Sequence, residues 1–144
     1  MEIERVTSID DELCDAFWRL IPQLASNHLH PTREELEVLV RSESSILLIA
    51  RRPESGGSIV GAGCLAVYPV PTGIRAIIED VIVDESARGL GIGESLVRHL
   101  LDFARDRGAN GVALTSNPRR ISANRLYQRI GFVRRETNAY FYKF

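Results

Sequence analysis

Cysteine is scarce in this chain: Cys14 and Cys64 are the only two in 144 residues. Neither has a partner at metal-ligand spacing, and both sit among apolar neighbours, so they read as small buried hydrophobes rather than as a disulfide or a nucleophile. The three histidines, His28, His30 and His99, form no HExxH pattern and no Cys/His cluster, which argues against a metal centre. No apolar run approaches about 18 residues and nothing near Met1 resembles a signal peptide, so a cytoplasmic chain without a membrane segment is expected. An excess of one charge is lacking too. The net charge of −1 gives no overall field toward nucleic acid or an anionic membrane. What remains is 44% hydrophobic and 26% charged, at a length that argues for one domain over residues 1–144. Such a chain buries roughly two-thirds of its unfolded surface and needs no staple.

The element pattern is readable along most of the chain. Ile3–Val6 suits a short strand. Asp10 or Asp11 caps a helix with Leu13, Phe17, Leu20 and Ile21 on one face, and Pro22 marks its kink or end. After the loop SNHLHPT, Thr32 opens a second helix through Ser42, with Glu35 completing a capping box. Ser45–Ala50 and Ile59–Tyr68 form a hairpin around RRPESGG; YPVPTG is the next loop, and Arg75–Val83 is the following strand. Gly93–Arg107 is the clearest helix, with Leu96, Val97, Leu100, Leu101 and Ala104 as its buried stripe and Gly108 as its stop. Val112–Thr115 is a strand, Ile121–Arg129 a helix, and Phe132–Arg134 with Tyr140–Lys143 a closing pair of strands. The order β α α β β β α β α β β is an α/β sheet with three consecutive strands before the crossover.

The stretch IEDVIVDESARGLGIGESL places three glycines in five residues where a strand meets a helix. A dinucleotide fingerprint needs G-x-G-x-x-G, but its third glycine falls on Glu94 or Leu96; a P-loop needs Gly-Lys-Ser/Thr, and Gly93 is followed by Glu94. A purely structural turn needs about one left-handed glycine, not three. The reading left is a turn whose amides point at a pyrophosphate from a helix N-terminus, with Arg88 adding a charge-assisted bond.

Arg88-Gly89-Leu90-Gly91-Ile92-Gly93 resembles the Q/R-x-x-G-x-G/A signature of the GNAT family of N-acetyltransferases. VIVDESARGLGIGESLVRHLLDFA is similar to that family's strand–turn–helix motif, and LTSNPRRISANRLYQRIGF to its second motif, with Asn117, Asn124, Tyr127, Gly131 and Phe132 at matching spacing. The resemblance implies a GNAT-like α/β fold: a mixed, mostly antiparallel central sheet, splayed into a V between the fourth and fifth strands and flanked by about four helices. It further implies a single N-acetyltransferase domain over residues 1–144, acetyl-CoA as acyl donor, and a small-molecule amine or amino acid as acceptor. A protein amine acceptor, or a non-enzymatic acyl-CoA-binding regulatory module, is the alternative.

Carried over residue by residue, Gly89, Leu90, Gly91, Ile92 and Gly93 would hold the pyrophosphate with Arg88. Val81, Ile82 and Val83 would pair with the pantetheine arm through backbone, as in strand addition. Asn117 and Asn124 would contact the same arm, a turn and a helix start being the local alternative. Tyr127 would sit beside the thioester sulfur. A phenol at pKa ~10 facing a thiol at ~8.5 favours a hydrogen bond to the forming thiolate over full proton transfer. A lysine-type acceptor at ~10.4 costs roughly 4 kcal/mol to deprotonate near neutral pH, so a base is needed. Glu79, on the strand face of Ile77, Val81 and Val83 by simple alternation, is the candidate, working through water; the competing role is an ion pair with Arg75. A backbone N–H near Val81 would polarise the carbonyl. SNHLHPT and YPVPTG would flank the acceptor, with His28 or His30 as a further possible base. Attack is expected to be direct, in a ternary complex. The aromatic tail Tyr140–Phe144 has rings on both faces, pointing to a homodimer.

Overall fold

The computed structural model describes residues 1–24 and 29–144, so His28 lies outside the described residues. The chain divides into two compact units, Met1–Leu114 and Thr115–Phe144. The first contains β1 (Glu2–Arg5), α1 (Asp11–Leu24), α2 (Arg33–Arg41), β2 (Ser45–Arg52), β3 (Ser58–Val70), β4 (Gly73–Val83), α3 (Ile92–Asp106) and β5 (Val112–Ala113). Its strands form one sheet in chain order, antiparallel except for the parallel β4–β5 pair. The second unit contains α4 (Ile121–Ile130). The mixed α/β sheet and four helices agree with the expected class.

Local chemistry sets the helix ends. Asp10 Oδ1 accepts from the Leu13 N–H at 2.8 Å and caps α1. Pro22 removes one intrahelical bond, yet α1 continues to Leu24, so it neither stops nor bounds the helix. The α2 capping box is present: Thr32 Oγ1 accepts from the Glu35 N–H, and Glu35 Oε2 from the Thr32 N–H.

The two faces of the sheet are covered by different helices. Leu13, Ala16, Phe17 and Leu20 of α1, with Leu36 of α2, pack on Leu47, Ile49, Ile59, Ala62 and Ile82. The opposite face receives α3, whose Leu96, Val97 and Leu100 are fully buried. Two bulges adjust the alternation. Val60 is extra between Arg51↔Ile59 and Ala50↔Gly61, which is why Ile59 and Ala62 share a face at odd spacing. The second lies in β4 and bears on the site below.

Three expectations fail here. YPVPTG is not an open loop: β3 runs to Val70, β4 starts at Gly73, and only Pro71 and Thr72 turn between them. β5 stops at Ala113, and its register with β4 holds only Ala76↔Val112 and Ile77↔Ala113. Beyond Ile77, no described strand pairs with β4 on that edge. The closing strands at Phe132–Arg134 and Tyr140–Lys143 do not form: residues 132–144 carry neither helix nor strand, since strand-forming residues alone do not make a ladder.

Gly61 sets how closely α3 lies on the sheet. A Cβ there would meet the Ile82 carbonyl at 3.1 Å and the Ile92 and Leu96 side chains at 3.2 Å. Gly61→Val is expected to cost about 1–3 kcal/mol by overpacking, read as a lower midpoint in chemical denaturation; Gly111→Ser, at an open position without a left-handed φ, serves as the mild comparison.

Candidate active site

The segment from Asp84 to Gly93 is held at its start and open at its end. The Asp84 N–H donates to the Val60 carbonyl at 2.8 Å. Its carboxylate accepts from the Ser86 N–H and hydroxyl and, at 2.8 Å, from Arg19 Nε of α1. A second Arg19 nitrogen donates to the Ile59 carbonyl at 2.6 Å, and Gln23 Oε1 accepts from the Glu85 N–H at 2.8 Å. Burial alone would raise the Asp84 carboxyl, but the Ser86 and Arg19 donors outweigh it and hold it below the ordinary carboxylate range. Two side chains of α1 thus fasten the end of β4 to the first turn.

The glycines follow. Gly89 and Gly91 both take φ +78°, the left-handed region, and a Cβ at either would meet nothing within 4 Å. Backbone conformation, not crowding, demands glycine there, and the space in front of the turn is open. Gly93 is different: it sits in the first turn of α3 without a positive φ. Glycine in a helix costs up to about 1 kcal/mol against alanine, so bare backbone at Gly93 has another use. Ser95 N–H is the first to bond backward, to Gly91 O at 3.0 Å. The Ile92 and Gly93 amides therefore head the helix without an intrahelical acceptor. The Ile92 side chain is buried and Leu90 is exposed, so both can serve a ligand through backbone. Arg88 is turned back, its Nε donating to the Val83 carbonyl at 3.2 Å.

The β4 bulge changes the expected face of Glu79. Cys64 lies opposite Glu79 and Ala62 opposite Ile82, so Asp80 and Val81 together oppose Gly63. Asp80 takes φ +52°. A Cβ on Gly63 would approach Val81 and Leu100, placing Val81 toward α3. Glu79 faces the α1–α2 side with Cys64 and Ile82. The expected shared face of Glu79, Val81 and Val83 is thus overturned: the extra residue inverts the alternation. Glu79 is exposed and forms no ion pair among the described residues; Arg75 donates instead to Thr72 Oγ1. Burial, then the charges of Asp80 and Glu79, push the Cys64 thiol up to about 11. That suits a buried thiol, not a nucleophile.

In the second unit, the local reading of the asparagines holds. Asn117 Oδ1 accepts from the Arg119 N–H at 2.9 Å, while Asn124 Nδ2 donates to the Asn117 and Arg120 carbonyls at 2.9 and 2.8 Å. The turn into α4 occupies one side-chain atom of each; Asn117 Nδ2 and Asn124 Oδ1 have no partner among the described residues. Tyr127 is the buried residue of α4, edge-on to Phe132 with centroids 5.9 Å apart. Burial raises its phenol above the ordinary value, with Arg120 pulling the other way. Its hydroxyl has no hydrogen-bond partner among the described residues. Ser116, which no motif singled out, carries a buried hydroxyl without a partner.

A family model described as the acetyltransferase (GNAT) family matches residues 11–132. N-acetyltransferase family 8 member 2 of Rattus norvegicus is 40% identical over 90 residues, 61% of this chain and 39% of that protein. The glucosamine 6-phosphate N-acetyltransferase of Trypanosoma brucei brucei is 39% identical over 79 residues, 53% of this chain and 52% of that one. The matches thus span about half or less of these curated relatives. An aminoglycoside acetyltransferase from an uncultured soil metagenomic sample, solved with sisomicin, shares the fold at a TM-score of 0.81 and 22% identity, over 99% of this chain and 95% of that one.

The raised Cys64 thiol gives a check on its burial beside Asp80 and Glu79. Alkylation of Cys64 by iodoacetamide should be slow at pH 8 and rise about tenfold per pH unit toward pH 11. A fast, pH-independent rate at pH 8 would contradict the site as described.

Proposed function

The chain belongs to the acetyltransferase (GNAT) family, and from that membership we propose that it moves an acetyl group from acetyl-CoA to a primary amine of a small molecule or amino acid. The observation that carries the reading is the turn: two left-handed glycines with open space before them, then Ile92 and Gly93 amides at the head of a helix. This is a fit for a pyrophosphate. A Cβ at these positions would occupy the space a phosphate oxygen needs, and several N–H donors converge where negative charge is favoured. The donor supplies an activated thioester; residues 1–144 are taken as one domain acting on it.

The roles divide as follows. Backbone N–H groups of Gly89–Gly93 bind phosphate oxygens, with the free end of the Arg88 guanidinium beside them. Backbone of Val81–Val83 pairs with the amides of the arm. A backbone N–H at the bulge polarises the thioester carbonyl, and Asn117 Nδ2 and Asn124 Oδ1 are left for the arm. Glu79 takes the acceptor's proton through water. Tyr127 gives a hydrogen bond that strengthens as sulfur becomes anionic. Its raised pKa keeps the phenol protonated through neutral pH. Attack is direct, since the cysteine nearest Glu79 is a protonated thiol.

The relative named for glucosamine 6-phosphate supports a small amine over a protein acceptor. No described helix is long and apolar enough to cross a membrane; the cytoplasm is the proposed setting.

Turnover of acetyl-CoA against a panel of amines, followed by thiol release, tests the reading; tight coenzyme binding with no acetylated amine would sink it. Gly91→Val should raise the KM for acetyl-CoA at least about tenfold, with little loss of kcat at saturation. Tyr127→Phe should lower kcat about 10–100-fold with KM nearly unchanged. Because burial raises the phenol, the Tyr127-dependent loss of rate should set in above pH 10, not below it.

A further inference from the structure

Helix α1 contributes two side chains that no motif singled out, and both end on the segment leading into the glycine turn. Arg19 and Gln23 lie four residues apart and share one face of the helix. Arg19 Nε donates to Asp84 Oδ2 at 2.8 Å, and its Nη2 donates to the Ile59 carbonyl at 2.6 Å. Gln23 Nε2 donates to the Arg19 carbonyl at 3.2 Å, which leaves Oε1 to accept from the Glu85 N–H at 2.8 Å. Every amide from Asp84 to Arg88 then has an acceptor: Val60 O, Gln23 Oε1, Asp84 Oδ1, Asp84 O and Glu85 O in turn. From Gly89 to Gly93 no amide has an acceptor among the described residues. The boundary between occupied and free donors falls between Arg88 and Gly89. Among the described residues, three hydrogen-bonded tethers join residues 84–88 to elements other than β4, and two of them come from α1.

Resting on the reading of that turn as the donor's pyrophosphate site, we propose that Arg19 and Gln23 are positioning residues for the acyl donor. Acting through Asp84 and Glu85, they preset the Gly89–Gly93 amides, so that affinity for coenzyme A depends on α1. Free amides grip an anion well only where their directions are fixed beforehand; a loose turn must be ordered on binding, which weakens it. The bonds from Ser86, Ala87 and Arg88 back to Asp84 and Glu85 shape the segment without tying it to the rest of the fold. The Asp84 N–H on Val60 O fixes one point, about which the turn could still swing. Arg19 and Gln23 add the second and third points. Arginine suits this place because its planar fork reaches a carboxylate and a carbonyl at once, whereas lysine offers a single point charge. The start of α1 carries a matched arrangement. Arg33 of α2 donates to Asp11 Oδ1 at 2.6 Å and to the Ile9 carbonyl at 3.2 Å. That arginine also bridges a carboxylate and a carbonyl, but neither lies in residues 84–93.

Calorimetric titration with coenzyme A, steady-state kinetics, and amide hydrogen exchange of the ligand-free full chain test this. Arg19→Met should weaken coenzyme A binding about tenfold and raise the KM for acetyl-CoA as much, with kcat at saturating donor within about twofold. Gln23→Met should weaken binding about three- to tenfold. Gln23→Glu, which keeps an acceptor for the Glu85 N–H, should restore it. Arg33→Met, the matched control, should bind coenzyme A as wild type does. Without ligand, Arg19→Met should speed exchange at Glu85–Arg88 about tenfold and leave the α3 amides around Leu100 unchanged. If Arg19→Met does not fold, the Gln23→Met and Gln23→Glu pair decides. A folded Arg19→Met or Gln23→Met protein with wild-type affinity overturns the proposal and leaves the pyrophosphate reading standing. So does unchanged exchange at Glu85–Arg88, and so does an affinity loss that Arg33→Met reproduces, because the effect would then come from the docking of α1 as a whole. A wild type that binds no coenzyme A overturns the reading of the turn itself, and this proposal with it.

Discussion

An α-helix cannot satisfy its own first amides, and the start of α3 is built around that fact. A side-chain cap at Gly91 would have consumed one of them; glycine in a left-handed conformation offers none. Gly93 accepts a helix penalty to keep its backbone bare. Little of this would hold a ligand if the turn were loose. Arg19 and Gln23 of α1 fasten Asp84 and Glu85 with two hydrogen bonds, Arg19 also reaches the Ile59 carbonyl, and the close seat of α3 on Gly61 fixes the other end. The turn is presented by two helices on opposite faces of one sheet, which makes it rigid at both ends and open between them.

The second constraint is the short partnership of β4 and β5. Two residue pairs start a parallel register, and no described strand pairs with β4 beyond them on that side. In the proposed reading, this stretch of β4 beside the glycine turn is where an extended ligand bearing amides pairs. The bulge at Asp80 lies on this same segment. It sends Val81 toward α3 while leaving Glu79 facing the α1–α2 side with Cys64. A carboxylate and the backbone groups beside it are thereby aimed in different directions from adjacent positions. Strict alternation would not achieve this.

Helix chemistry was the most legible part of the sequence, because caps and stripes act over a few residues: the Thr32–Glu35 box and the α3 face are where their spacing puts them. The glycine turn was legible for the same reason. The Asp80 bulge was not, since IIEDVIV contains no glycine or proline and alternation alone predicts an unbroken strand. The YPVPTG turn contracted because Val70 and Gly73 could pair, a tertiary choice that proline content disguised. The failure of the closing strands is of the same kind: Phe132–Arg134 and Tyr140–Lys143 have strand-forming residues, but a ladder needs a second edge, and sequence does not say whether one is within reach. Asn117 and Asn124 fitted two roles because a side-chain amide can serve a turn with one atom and a ligand with the other. Ser116 left no signal at all.

The account rests on main-chain donors at the head of α3. Titrating the isotope-labelled chain with coenzyme A, and following backbone amide resonances, addresses those donors one by one. Saturable downfield shifts concentrated at Gly89, Gly91, Ile92 and Gly93 are the predicted result. Binding that moves other resonances and leaves these four in place would contradict it.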